Sequence, residues 1–111
     1  MLILSLVLFG LAAVLGITVA VALFAKRPTS KPVAVSHGLA GAAGLVVLLI
    51  TASRQPNHLL SIALILLVIA ALGGIILFAN DLRARPGPNA LVVIHALAAV
   101  TAVVLVALVA F

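Results

Sequence analysis

The chain has no cysteine, no tryptophan and no tyrosine, and its only acidic residue is Asp81. Without cysteine there can be neither a disulfide scaffold nor a thiolate metal site. Without tryptophan or tyrosine there is no aromatic belt to mark a membrane interface. Asp81 falls in an expected loop, so no apolar run carries the intramembrane carboxylate that a proton-coupled exporter needs. Hydrolytic catalysis also lacks its acid and base, and Ser5, Thr18, Ser61 and Thr101 are too scattered to line a pore. What is present is oil. Of 111 residues 68% are hydrophobic, and the mean hydropathy is +1.59. No soluble domain of this size could bury so much apolar surface, so lipid has to cover it. Six basic residues give a net charge of +5, and all lie outside the apolar runs. That placement orients a membrane protein and gives no support to nucleic-acid binding.

Four apolar segments stand out, at about 2–25, 33–52, 58–80 and 89–111. Each has roughly the 20 residues needed to cross about 30 Å of hydrocarbon as a helix. None alternates in the way a membrane barrel strand must. The expectation is an all-α membrane protein, one domain over 1–111. The first segment reads as a retained helix and not as a signal peptide, because it lacks a basic leader and ends in Lys26-Arg27. Breakers separate the segments. Ser30 or Lys31 caps the second with Pro32 in its first turn, Pro56 and Asn57 open the third, and Pro88-Asn89 restarts the chain after Asn80-Asp81. Short connections make neighbours antiparallel, which predicts an up-down-up-down four-helix bundle. Lys26, Arg27, Lys31, Arg83 and Arg85 lie in loops 1 and 3, and only Arg54 lies in loop 2. The positive-inside rule then puts loops 1 and 3 in the cytoplasm and both termini on the outer side.

The two halves, 1–53 and 54–111, look like repeated hairpins. Leu23-Phe24-Ala25 matches Leu77-Phe78-Ala79, and each is followed by a basic, proline-containing loop and then His-x-Leu-Ala, at His37 and at His95. A repeat of this kind relates the halves by a pseudo-two-fold axis along the membrane normal.

His37 lies five residues past Pro32 and His95 seven past Pro88, so both are about 8–11 Å into their helices from one side. Helices 2 and 4 are diagonal partners, with axes roughly 11–14 Å apart if neighbours pack at 8–10 Å. Two imidazoles span that gap with an ion between them, each bonded at about 2 Å. At i+3, i+4 and i+7 His37 has Ala40, Gly41 and Gly44, and His95 has Ala98, Ala99 and Ala102. These residues share one stripe of each helix with the histidine. Gly16, Ala20, Gly73 and Gly74 keep helices 1 and 3 slim at a similar depth. Space between two facing histidines suits a flat macrocycle, so the candidate ligands of one haem b iron are His37 and His95. Basic loop residues, Lys31 and Arg85 among them, are available to pair with its propionates. A competing reading takes the glycines and alanines as plain helix packing and the histidines as interfacial. His58, at the start of helix 3, is far from the other two and reads as interfacial.

Two hairpins with His-Gly-Leu-Ala-Gly (37–41) and His-Ala-Leu-Ala (95–98) near the starts of helices 2 and 4 resemble small bacterial four-helix membrane proteins. More loosely they are similar to the four-helix core of b-type membrane cytochromes. The resemblance implies a bacterial inner membrane and one-electron transfer, with quinol, a soluble carrier or superoxide as partner. Larger b-type cytochromes hold two haems near opposite membrane surfaces, whereas one matched pair here implies one. The rival expectation is a cofactor-free accessory subunit of a larger membrane complex; a magnesium-porphyrin carrier is a third. Gly- and Ala-rich faces also allow a homodimer.

Overall fold

A computed structural model describes residues 1–85 and 88–111; Pro86 and Gly87, assigned above to loop 3, lie outside the described residues. Four helices make up nearly all of it: α1 (Leu2–Phe24), α2 (Lys31–Arg54), α3 (His58–Leu82) and α4 (Asn89–Ala110). Each is long and apolar enough to cross a bilayer, the make-up of a multi-pass membrane protein. A helix satisfies its own backbone in lipid, which is why long runs of Ala, Leu, Val and Ile settle into helices here.

Local chemistry sets the ends. Ser30 caps α2 by accepting from the Val33 N–H at 3.5 Å, and the Asn57 carboxamide caps α3 by accepting from the Leu59 N–H at 2.8 Å. With those caps α2 starts two residues before the expected position 33. It also runs two residues past 52. Helix α3 continues to Leu82, which brings Asp81 into its last turn and corrects its assignment to a loop. Both α1 and α3 end with a residue in the left-handed region, Lys26 at φ 54° and Ala84 at φ 53°. The next residue's N–H then turns back, Arg27 to the Ala22 carbonyl at 2.9 Å and Arg85 to the Asn80 carbonyl at 3.0 Å. That is the Schellman arrangement, here without glycine.

These matching features are spaced by one interval. Phe24 and Leu82 end α1 and α3, Lys31 and Asn89 begin α2 and α4, and each pair is 58 residues apart. Lys26 and Ala84 share that spacing. By position along the helices, Leu23, Phe24 and Ala25 correspond to Asp81, Leu82 and Arg83. The 54-residue match of Leu-Phe-Ala is therefore one helical turn out of step.

Helix α1 packs along α2, and α3 along α4; α1 meets α4, and α2 meets α3, over shorter stretches. The backbones of α2 and α4 do not approach each other closely, and neither do those of α1 and α3. The aliphatic core sits toward the α2–α3 connection, where Phe9, Leu48, Leu60, Ala63, Leu67, Ala102 and Val106 are buried together. Gly44 belongs to this region. A Cβ placed on it would lie 2.7 Å from the Phe9 ring, so the glycine exists to seat the phenyl group. At the positions 58 residues on stand Leu67 and Ala102, both buried in the same cluster. Gly44→Ala should therefore destabilise the bundle by about 1–3 kcal/mol through overpacking. Phe9→Leu made together with Gly44→Ala, which copies the Leu67–Ala102 pair, should recover most of the loss. Thermal unfolding in detergent checks both; equal melting of the single and double variants would disprove the pairing.

At the opposite end the chain's one acid ties the two helix pairs together. Asp81 Oδ2 accepts from the buried Thr29 hydroxyl and from Lys31 Nζ at 2.7 Å, and Lys31 Nζ also donates to Thr29 Oγ1 at 2.9 Å. Lys31 is 44% exposed, so water screens the charge pair and the hydrogen bonds carry much of its value. Asp81→Ala should lower stability by about 1 kcal/mol and Asp81→Asn, which can still accept from Thr29, by less. Melting curves of the two variants at low and high salt make the comparison.

Candidate functional site

His37 and His95 come together in the middle of the bundle. Each sits six residues after the first residue of its helix, so both lie about 9 Å below the same end. Their ring centroids are 6.0 Å apart with the planes at 77°. They belong to the diagonal helices α2 and α4, whose backbones stay well apart, so the side chains alone bridge the middle.

Each ring is held from behind by the helix packed against its own. His37 Nδ1 lies 2.7 Å from the carbonyl of Ala12 on α1, and His95 Nδ1 lies 2.6 Å from the carbonyl of Ala70 on α3. A carbonyl oxygen only accepts, so Nδ1 carries the proton in both rings and donates. The lone pair is then on Nε2. A second-shell carbonyl that sets tautomer and ring direction in this way is the usual support of a metal-binding histidine.

The glycines explain how a ring reaches a carbonyl already used by its own helix. In an α-helix the carbonyl of residue 12 faces the amide of residue 16, and that of residue 70 faces residue 74. Gly16 and Gly74 stand at those places. A Cβ on Gly16 would lie 2.8 Å from His37 Cε1, and one on Gly74 would lie 3.0 Å from His95 Cε1. A side chain at Gly16 would make the His37 ring shift, and one at Gly74 would crowd the His95 ring. Gly73, expected at the site, makes only ordinary contact, its Cβ position being 3.8 Å from the Cβ of His95. The closer partner is Gly74.

The remaining expected residues divide. Gly41, one turn beyond His37, is half-buried, and a Cβ on it would meet nothing within 4 Å. Ala98 and Ala99, one turn beyond His95, are half-buried too, and Ala40 is buried. Gly44 and Ala102 were expected to extend the open strip; they are instead part of the aliphatic core, because Phe9 from α1 and its neighbours close over them. Around the histidines the buried residues are mostly small, Ala12, Ala40, Ala70 and Gly73, with Leu77 and Val92 the large ones. Lys31 is committed to Asp81, and Arg85 is exposed beyond the end of α3. His58 is exposed at the far end, as the first residue of α3.

Sequence reasoning missed the carbonyls of Ala12 and Ala70 and the place of Phe9, and it named Gly74 only as a small residue at this depth. A signal for the first two was there. Ala-x-x-x-Gly occurs at 12–16 and at 70–74, with a histidine 25 residues after each alanine. Among the described residues no cluster of three or more metal-ligating side chains forms, so any metal here would rest on the two imidazoles and on ligands of its own. No protein family, curated protein or solved structure matches the chain.

Proposed function

We propose that this chain is a membrane-embedded b-type haem protein that passes single electrons, with His37 and His95 as the residues that would hold one haem iron. In this reading the helices run up-down-up-down as two repeated hairpins. Loops 1 and 3 face the cytoplasm of a bacterial inner membrane, and both termini lie outside. The observation that carries it is the paired imidazoles, each with Nδ1 donating to a helix carbonyl and Nε2 left as the ligating atom. With their centroids 6.0 Å apart, the two rings are close enough for one ion to bond to both.

The packing agrees. Between Lys31 and Gly44 there is about 20 Å of α2, with His37 near the middle, before the aliphatic core begins. The seam between the α1–α2 and α3–α4 pairs is the looser one, and one histidine comes from each pair. Gly41, Ala98 and Ala99 keep that seam slim next to the rings. The 58-residue spacing of helix ends, left-handed caps, glycine seats and histidines supports the duplication. Iron with two imidazole ligands supplies one-electron transfer with no open position for oxygen chemistry. The chain's part is to orient the rings, exclude lipid and offer Arg85, with Lys26 and Arg83, to carboxylates at the cytoplasmic end. The electron donor or acceptor would be a quinol or a soluble redox protein.

Oxidised and reduced visible spectra of protein purified in mild detergent, with haem supplied, test the reading. A low-spin six-coordinate spectrum in both states is expected. A preparation that stays colourless after haem loading refutes it and favours a cofactor-free accessory subunit.

A further inference from the structure

On the lipid side of α1, apart from the paired histidines, a groove of about 660 Å³ lies between that helix and the connection to α2. Ile17, Val21, Ala22 and Val33 line its apolar length, and Arg27 and Ser30 stand at its upper edge. We propose that this groove holds one anionic phospholipid, its phosphate on Arg27 and an acyl chain along α1.

Charge decides the head group. Asp81 is the only acid in the chain, and it is already bound by Lys31 and Thr29. Arg27 therefore has no carboxylate to pair with, and its guanidinium can take a phosphate through two parallel hydrogen bonds. Its backbone is held in place, since its N–H is bonded to the Ala22 carbonyl just after the left-handed Lys26. The Ser30 hydroxyl, which accepts from the Val33 N–H, keeps its own proton for a head-group oxygen.

Length decides the rest. Ile17 lies seven residues, about 10 Å, below the end of α1 at Phe24, inside the roughly 15 Å of hydrocarbon in one leaflet. A free phosphate would leave that apolar length unused. A quinone has no charge to offer Arg27. Basic pockets between helices at the cytoplasmic surface are where anionic head groups are held. None of this depends on the histidines binding haem.

Native mass spectrometry of the full chain released from detergent, with phosphatidylglycerol or phosphatidylcholine added, is the test. Wild type should retain one phosphatidylglycerol in preference to phosphatidylcholine. Arg27→Gln should weaken that retention about fivefold, the share of one basic residue at an anionic surface. Val21→Trp, which fills the groove, should abolish it. Arg54→Gln changes a basic residue at the far end of α2, outside the groove, and should leave it intact. Equal retention of the two lipids overturns the proposal, as does an equal loss in Arg27→Gln and Arg54→Gln. Displacement of the lipid by inorganic phosphate or by a quinone overturns it as well.

Discussion

His37→Ala and His95→Ala should each abolish the six-coordinate spectrum of the haem-loaded protein, whereas His58→Ala should leave it unchanged. With one imidazole gone the iron keeps a single protein ligand and moves toward five-coordinate, high-spin behaviour. Free imidazole added to His37→Ala should restore the low-spin spectrum, because the vacancy has the shape of the missing side chain. Where an alanine variant misfolds, His95→Met is the companion. It keeps a sixth ligand while raising the reduction potential, as histidine–methionine ligation does. A structural role for His95 would not move the potential. If His58→Ala strips the haem while His37→Ala retains it, the pairing of His37 with His95 is wrong.

Gly16→Val is the second large effect, and it reaches the haem without touching it. The first added carbon would lie 2.8 Å from His37 Cε1, closer than a methyl group and a ring can come. The ring has to swing out, and its Nδ1–H loses the Ala12 carbonyl. Losing a second-shell partner of this kind costs about 10–100-fold in metal affinity, so haem should dissociate from Gly16→Val at concentrations where wild type holds it. Gly74→Val should do the same from the other side, through His95 and the Ala70 carbonyl. Gly10→Ala and Gly38→Ala are the controls, since a Cβ at either meets nothing within 4 Å. Haem titration of the four variants gives the comparison. Equal affinity in Gly16→Val and Gly38→Ala would mean that the glycine seat is not what positions the ring. Unfolding curves on the same samples separate loss of haem from loss of fold.

Four spans, their short connections and the caps at Ser30 and Asn57 could be read along the chain, and so could the level of the two histidines. Each of these depends on residues within a turn or two of one another: a run of oil long enough for a bilayer, a breaker, a capping side chain. The Leu-Phe-Ala match was a local cue too, and its 54-residue spacing differs from the 58 residues between the helix ends. Ala-x-x-x-Gly and the histidine that follows it share the 58-residue spacing.

What only the tertiary structure decided is how the helices are turned against one another. That Gly44 would be filled by Phe9 while Gly41 would be left open is a matter of which face of α1 meets α2. That His37 would find a carbonyl 25 residues away, and Asp81 a threonine 52 residues away, follows from packing between elements. Hydropathy cannot supply such rotations. In lipid every face of these helices is equally oily, so the pattern that orients a soluble helix is nearly absent, and close fit between small residues and large ones takes its place.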